Sequence, residues 1–162
     1  MADKVLHRDL HRVVGTVMIY RPDRTFLITK RSEKLKVLPG KWTIPGGGLE
    51  VDDYVDTPPT NGEGQWYNAL DRAIEREIKE ETNLTVGKIE YLTNIAFIRP
   101  DQKAVLVLSF FAPYVSGEVK LSEEDTDFAW IKVADVEKYD LIDGIGDEIR
   151  EVDRILVHRS KF

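Results

Sequence analysis

Two apolar, β-branched runs open the chain, residues 13–20 (VVGTVMIY) and residues 25–30 (TFLITK). Arg-Pro-Asp-Arg separates them, and proline with aspartate between two such runs predicts a hairpin turn. A short strand at WTI, residues 42–44, follows a basic loop, and Pro-Gly-Gly-Gly at 45–48 then predicts a break in regular structure. Further strands are expected at 88–100 (KIEYLTNIAFIRP) and 104–115 (AVLVLSFFAPYV), joined at PDQK, and at 128–133 (FAWIKV), with a helical turn at 134–140. The final segment, 146–159, places Ile149, Val152, Ile155 and Leu156 at helical spacing. Hairpins mixed with helical crossovers predict an α/β chain, a mixed sheet with helices packed on its faces.

The main helix is expected over residues 66–82, and its pattern carries an anomaly. With Trp66 as origin and roughly 100° per residue, Ala69, Leu70, Ala73, Ile74 and Ile78 fall in one arc. Glu77, Glu80 and Glu81 fall inside the same arc. Charge runs usually mark a solvated helix end. Ionised carboxylates on a buried face are costly without partners, and three together repel. Arg76 pairs with Glu80 at i,i+4 but does not balance three charges. A divalent cation does, and oxygen-only ligands suit Mg²⁺ or Mn²⁺.

Composition narrows the classes. A length of 162 residues fits one domain, with residues 1–9 a flexible lead-in and 51–65, rich in acids, proline and glycine, a loop inserted within it. Cysteine is absent, which removes disulfides and thiolate metal sites. No apolar run approaches a membrane span or a secretory signal, so a cytoplasmic setting without membrane contact is expected. A net charge of −6 argues against binding duplex nucleic acid through its backbone. It also requires that an anionic substrate be held with help from cations. His7 and His11 lie four apart near the start of the chain, a spacing that alone does not make a metal site. The glycine run lacks both the G-K-[ST] ending of a phosphate loop and the G-x-G-x-x-G spacing of a dinucleotide site.

"REIKEETNL", residues 76–84, resembles the second half of the Nudix box, G-x5-E-x7-R-E-U-x-E-E-x-G-U with U a bulky apolar residue. "GKWTIPGGGLE" resembles the approach to that box, with Gly47 as its glycine, and "SGEVKLSEEDTDFAW" resembles the downstream segment that supplies a loop acid. The resemblance spans roughly residues 13–142 and implies the Nudix-type α/β/α sandwich. Two positions depart from the pattern. Asn83 stands where the last box glycine belongs, and asparagine tolerates the left-handed conformation that ends a helix. Asn68 stands eight residues before Arg76, where the box glutamate belongs, and the distance from Gly47 to Asn68 is fifteen residues too long. The insertion splits the box. Asn68 is expected as a helix cap with Asp71 three residues on, and Glu63 is a candidate to fold back as the missing carboxylate.

The resemblance implies cleavage of a nucleoside diphosphate linked to another group, by water attack at phosphorus. Glu77, Glu80 and Glu81 are then metal ligands with the Gly47 carbonyl, and Arg76 orients the carboxylates. Glu81 and Glu124 compete as general base. Arg31, Gly46, Gly48 and Tyr67 are candidate substrate contacts. Substrates are expected to be nucleoside triphosphates, including oxidised ones, cleaved to the monophosphate and pyrophosphate, with ADP-ribose or nucleotide sugars as the alternative. Two other readings stand beside it: a nucleotide-binding module without turnover, motivated by the split box, and a prenyl diphosphate isomerase, disfavoured by the absent cysteine. A homodimer is compatible with all of them.

Overall fold

The structure is a computed structural model and describes residues 8–161. Most of the expected lead-in, His7 included, lies outside the described residues. Strand β1 (His11–Tyr20) turns at Arg-Pro-Asp-Arg into β2 (Phe26–Arg31), and the two pair antiparallel at Tyr20 and Phe26. Then follow β3 (Trp42–Thr43), β4 (Gly46–Gly48), a 3₁₀ turn at Val51–Asp53 and helix α1 (Ala69–Thr82). The rest comprises β5 (Thr85–Val86), β6 (Glu90–Ile98), β7 (Ala104–Ser116), β8 (Asp125–Ile131), a 3₁₀ segment at Val133–Lys138 and helix α2 (Ile145–Arg159).

The sheet is mixed. β1 runs parallel to β7 along its whole length, whereas β2–β8, β6–β7, β5–β7 and β1–β4 are antiparallel. Because successive side chains on a strand alternate between faces, β1 feeds two cores. Val17 and Ile19 pack with Leu27, Ala112 and the α1 residues Ile74 and Ile78. Met18 packs on the other face with Phe26, Ile28, Phe111 and the α2 residues Ile149 and Val152. Ile74 and Ile78 are almost wholly buried, each contributing about 1.5–3 kcal/mol. Helices on both faces of a mixed sheet are the sandwich expected from the sequence. Among the described residues no helix is long and apolar enough to cross a membrane.

Three local expectations need correction. Gly46–Gly48 is a strand and not a break: Gly46, Gly47 and Gly48 pair with Thr16, Gly15 and Val14 of β1. Tertiary pairing overrides the weak strand preference of glycine here. The main helix starts at Ala69, not at Trp66, because Asn68 adopts a left-handed conformation (φ 59°). For the same reason Asn68 makes no side-chain cap bond. The insertion holds a 3₁₀ turn, and Trp66 belongs to its packing: its ring lies 5.4 Å from that of Tyr54, and its Nε1 donates to the Thr57 carbonyl at 2.8 Å. At the far end of α1, Asn83 takes the left-handed conformation (φ 60°) that the box glycine would otherwise supply.

Candidate active site

The site is built where α1 crosses β4. A strand of three glycines lets the helix approach the sheet closely. A side chain at Gly47 would run into the Glu77 carboxyl group, and one at Gly15 beneath would meet Ile74. The Gly46 N–H donates to Glu81 Oε2 at 2.9 Å, and Arg76 Nη2 donates to the Gly48 carbonyl at 3.3 Å. The one-turn spacing of Glu77 and Glu81 thus follows β4, glycine by glycine.

Arg76 is the hub. Its Nε and Nη2 grip the two Asp53 oxygens at 2.5 and 3.2 Å, and its Nη1 reaches Glu77 at 2.8 Å and Glu80 at 3.2 Å. The Asp53 side chain is only 2% exposed. Its guanidinium partner holds the Asp53 carboxyl below the usual carboxylate range and raises Arg76 further. Asp53 therefore fills the position for which the sequence offered Glu63. Glu63 lies exposed in the turn at 61–65, where its backbone N–H donates to Asn61 Oδ1, and it does not line the site. The missed signal is a count: six residues on from Gly47, as the box prescribes, stands Asp53. The insertion falls after that acid, so 22 residues separate Asp53 from Arg76 where the box has seven.

A cavity of about 520 Å³ opens over this cluster. Gly46, Gly47, Gly48, Arg76, Glu77, Glu80, Glu81 and Glu124 line it together with Glu50, Asp52, Asp53, Ser122 and Arg12. The three glutamates differ in depth. The Glu80 side chain is 61% exposed, a correction to the expectation that it lies inside the apolar face; it sits at the edge of that arc and leans out to Arg76. Glu77 is mostly buried, and burial raises its carboxyl against the opposing pull of Arg76. Glu81 is the deepest. Burial pushes its carboxyl up to about 8 despite the Gly46 N–H, with Asp125, Glu77 and Glu124 adding repulsion. Asp125, at the start of β8, is itself raised by burial and was not singled out from sequence.

Arg31 and Tyr67 stand apart from the cavity. Arg31 donates through Nε and Nη2 to the Val37 carbonyl, pinning the loop after β2, and Tyr67 is 65% exposed at the end of the insertion. Arg12 is the cation that sequence reading passed over, being an unremarkable strand arginine. Its guanidinium lies against Gly48, where an added side chain would strike it. Among the described residues it makes no ion pair.

The donor set is oxygen only, as a hard divalent cation requires. Among the described residues no three acidic or imidazole groups stand converged as a finished ion cage. Arg76 engages Oε1 of Glu77 and Oε2 of Glu80, one oxygen of each carboxylate. The chemistry of the residues fits a cation: Glu81 is a deeply buried carboxylate, crowded by others, whose sole hydrogen bond among the described residues is one backbone N–H.

Comparison with known proteins agrees with this geometry. The family model described as the NUDIX domain matches residues 9–151. The nucleoside triphosphatase NudI of Escherichia coli strain K12 is 30% identical over 125 residues, covering 74% of this chain and 81% of that protein. Among solved structures, the MutT protein of Methanosarcina mazei Go1 superimposes with a TM-score of 0.66 at 24% identity, covering 89% of this chain and 94% of the other. The NUDIX domain of Shewanella oneidensis NrtR, solved with ADP ribose, gives a TM-score of 0.66 at 17% identity and covers 88% of each chain.

Proposed function

Because the chain belongs to the Nudix family and is a hydrolase of phosphoanhydride bonds, we propose that it cleaves nucleoside triphosphates to the monophosphate and pyrophosphate with Mg²⁺ or Mn²⁺. The observation that supports this most is Glu81, a carboxylate buried among other carboxylates at the floor of the cavity. Likeness to a nucleoside triphosphatase favours triphosphates over ADP-ribose and nucleotide sugars.

In this reading Glu77, Glu80, Glu81 and the Gly47 carbonyl hold the cation. A bound divalent ion lowers the charge on the phosphate oxygens and stabilises the charge that develops during attack at phosphorus. The chain's own residues do the rest. Asp53 fixes Arg76, and Arg76 positions the Glu77 and Glu80 carboxylates by holding their oxygens until they are used. Glu81, at the floor of the cavity, is the candidate to take the proton of the attacking water. Glu124, exposed on the loop at the cavity's edge, is the competing base. Arg12 offers its guanidinium to a phosphate oxygen.

The test is a panel of nucleoside triphosphates, ADP-ribose and nucleotide sugars incubated with Mg²⁺ or Mn²⁺, with products separated by ion-exchange chromatography. Monophosphate and pyrophosphate from triphosphates, lost in Glu81→Gln, are expected. Saturable binding without products would instead make the chain a nucleotide-binding module.

A further inference from the structure

Strand β6 is an open edge. It pairs with β7 along Glu90–Ile98, and among the described residues no other strand lies beside it. Among the same residues no backbone–backbone hydrogen bond from positions 91–98 leaves that ladder. α2 reaches the first residue of the strand, where Arg159 donates to the two Glu90 oxygens at 2.9 and 3.1 Å. Residues 93–98 are all exposed, and Tyr91, Ile95, Phe97 and Ile98 keep between 41% and 53% of their surface in water. An edge strand offers its outward N–H and C=O groups to another chain, and proteins usually guard it with charge, proline or a bulge. On β6 the guards stand at the ends, a bulge at Leu92 and Pro100 just past the strand. From Tyr91 to Ile98 the strand carries no charge.

The edge is complementary to itself. Glu90 brackets it at one end and Arg99 at the other. A second copy laid parallel and in register would set like charge against like, whereas an antiparallel copy sets each Glu90 end against an Arg99 end. Opposed residues of an antiparallel pair share a face of the sheet, so a two-fold axis between two copies of β6 passes through one residue. With the axis at Ile95, Ile95 faces its own copy and Thr93 faces Phe97. Tyr91 and Ile98 pair with Phe110 and Ala104, an even number of residues apart on β7, and so share the other face. The axis brings the Tyr91 ring of one copy to the Ile98 end of the other. There Ala96, Phe97, Ile98, Ala104 and Val105 line a groove of about 340 Å³. Ring and groove belong to the same strand, as a two-fold interface requires. The four half-exposed apolar side chains supply roughly 700 Å² over two copies. The backbone edge, Ala96 and the groove bring the total toward the ~1,200 Å² at which specific interfaces begin.

We propose that two copies of this chain join antiparallel along β6, with the two-fold axis at Ile95, so that one sheet runs through both. An interface of this size is reversible, and the dimer forms and dissociates with protein concentration. β7 and β1 stand between β6 and the glycine strand β4.

The chain contains no cysteine, so a single one placed on the axis reports pairing without background. Opposed Cα atoms of an antiparallel pair lie about 4.5–5.5 Å apart, within the span that a disulfide bridges. In oxidised glutathione, Ile95→Cys is expected to form a covalent dimer at least about tenfold faster than Val115→Cys, because pairing raises the effective concentration of the thiol. Val115 is as exposed as Ile95 but lies near the end of β7. Sedimentation velocity of the native chain is expected to show a monomer–dimer equilibrium in the micromolar range. Ile95→Lys, which sets two ammonium groups against each other on the axis, is expected to weaken that equilibrium at least about tenfold. A native chain that stays monomeric throughout that range, a folded Ile95→Lys that dimerises as well as the native chain, or equal rates of cross-linking for the two cysteine variants would overturn the proposal. If Ile95→Lys does not fold, the native sedimentation and the two cross-linking rates decide it.

Discussion

Glu81 couples the site to stability. Its carboxyl is raised to about 8 in the folded, ion-free chain and titrates near the ordinary glutamate value when unfolded. Between those two values the folded state holds a proton that the unfolded state has released. Stability therefore falls as pH rises through that window, by at most about 1.4 kcal/mol per unit, and is level above it. Urea unfolding of metal-free protein at pH 6 and pH 9 is expected to show this loss, and Glu81→Gln is expected to remove it. Arg76 and Asp53 give a second residue-scale prediction. Asp53→Ala leaves a guanidinium without its main partner and is expected to cost about 1–3 kcal/mol and about tenfold in turnover, whereas Glu63→Gln changes stability by less than about 0.5 kcal/mol and leaves turnover as it was. Equal effects of the two substitutions in thermal melting and in rate assays would remove Asp53 from its assigned place.

Among the elements, β4 is the least expected and the most consequential. Gly47→Ala would place a methyl group against the Glu77 carboxyl. Activity is expected to fall at least about tenfold, equivalent to about 1.4 kcal/mol of barrier, while circular dichroism shows the strands and helices retained. The apolar arc of α1 and two of the three glutamates on it, Glu77 and Glu81, were legible from spacing, because helical periodicity is a local property. Glu80 at the arc's edge was not, since its direction depends on Arg76. The strand at Gly46–Gly48 was illegible because its residues carry no side-chain pattern; only its partner β1 makes it a strand. Asp53 was legible in principle, and missed because the count ran backward from Arg76 across an insertion of unknown length. The insertion packs on itself through Tyr54 and Trp66 and ties to α1 through Arg72 and Thr57. Limited proteolysis of Trp66→Ala is expected to cut first within 55–67, with the melting of the rest nearly unchanged.

Across the whole molecule, a net charge of −6 and a cavity lined mainly by carboxylates make an unlikely receptor for a polyphosphate. In the proposed function a divalent cation held among these carboxylates offsets their charge, and Arg12 stands at the edge of the same cavity. The proposed function requires Glu77, Glu80 and Glu81, which line one cavity, to hold a divalent cation between them. Titration with Mn²⁺ followed by electron paramagnetic resonance tests it most directly, comparing the native chain with Glu81→Gln in the presence of a non-hydrolysable nucleotide analogue. Saturable binding by the native chain that is lost or greatly weakened in the variant is predicted. Native protein that leaves Mn²⁺ free, or a variant that binds it equally well, would contradict the account.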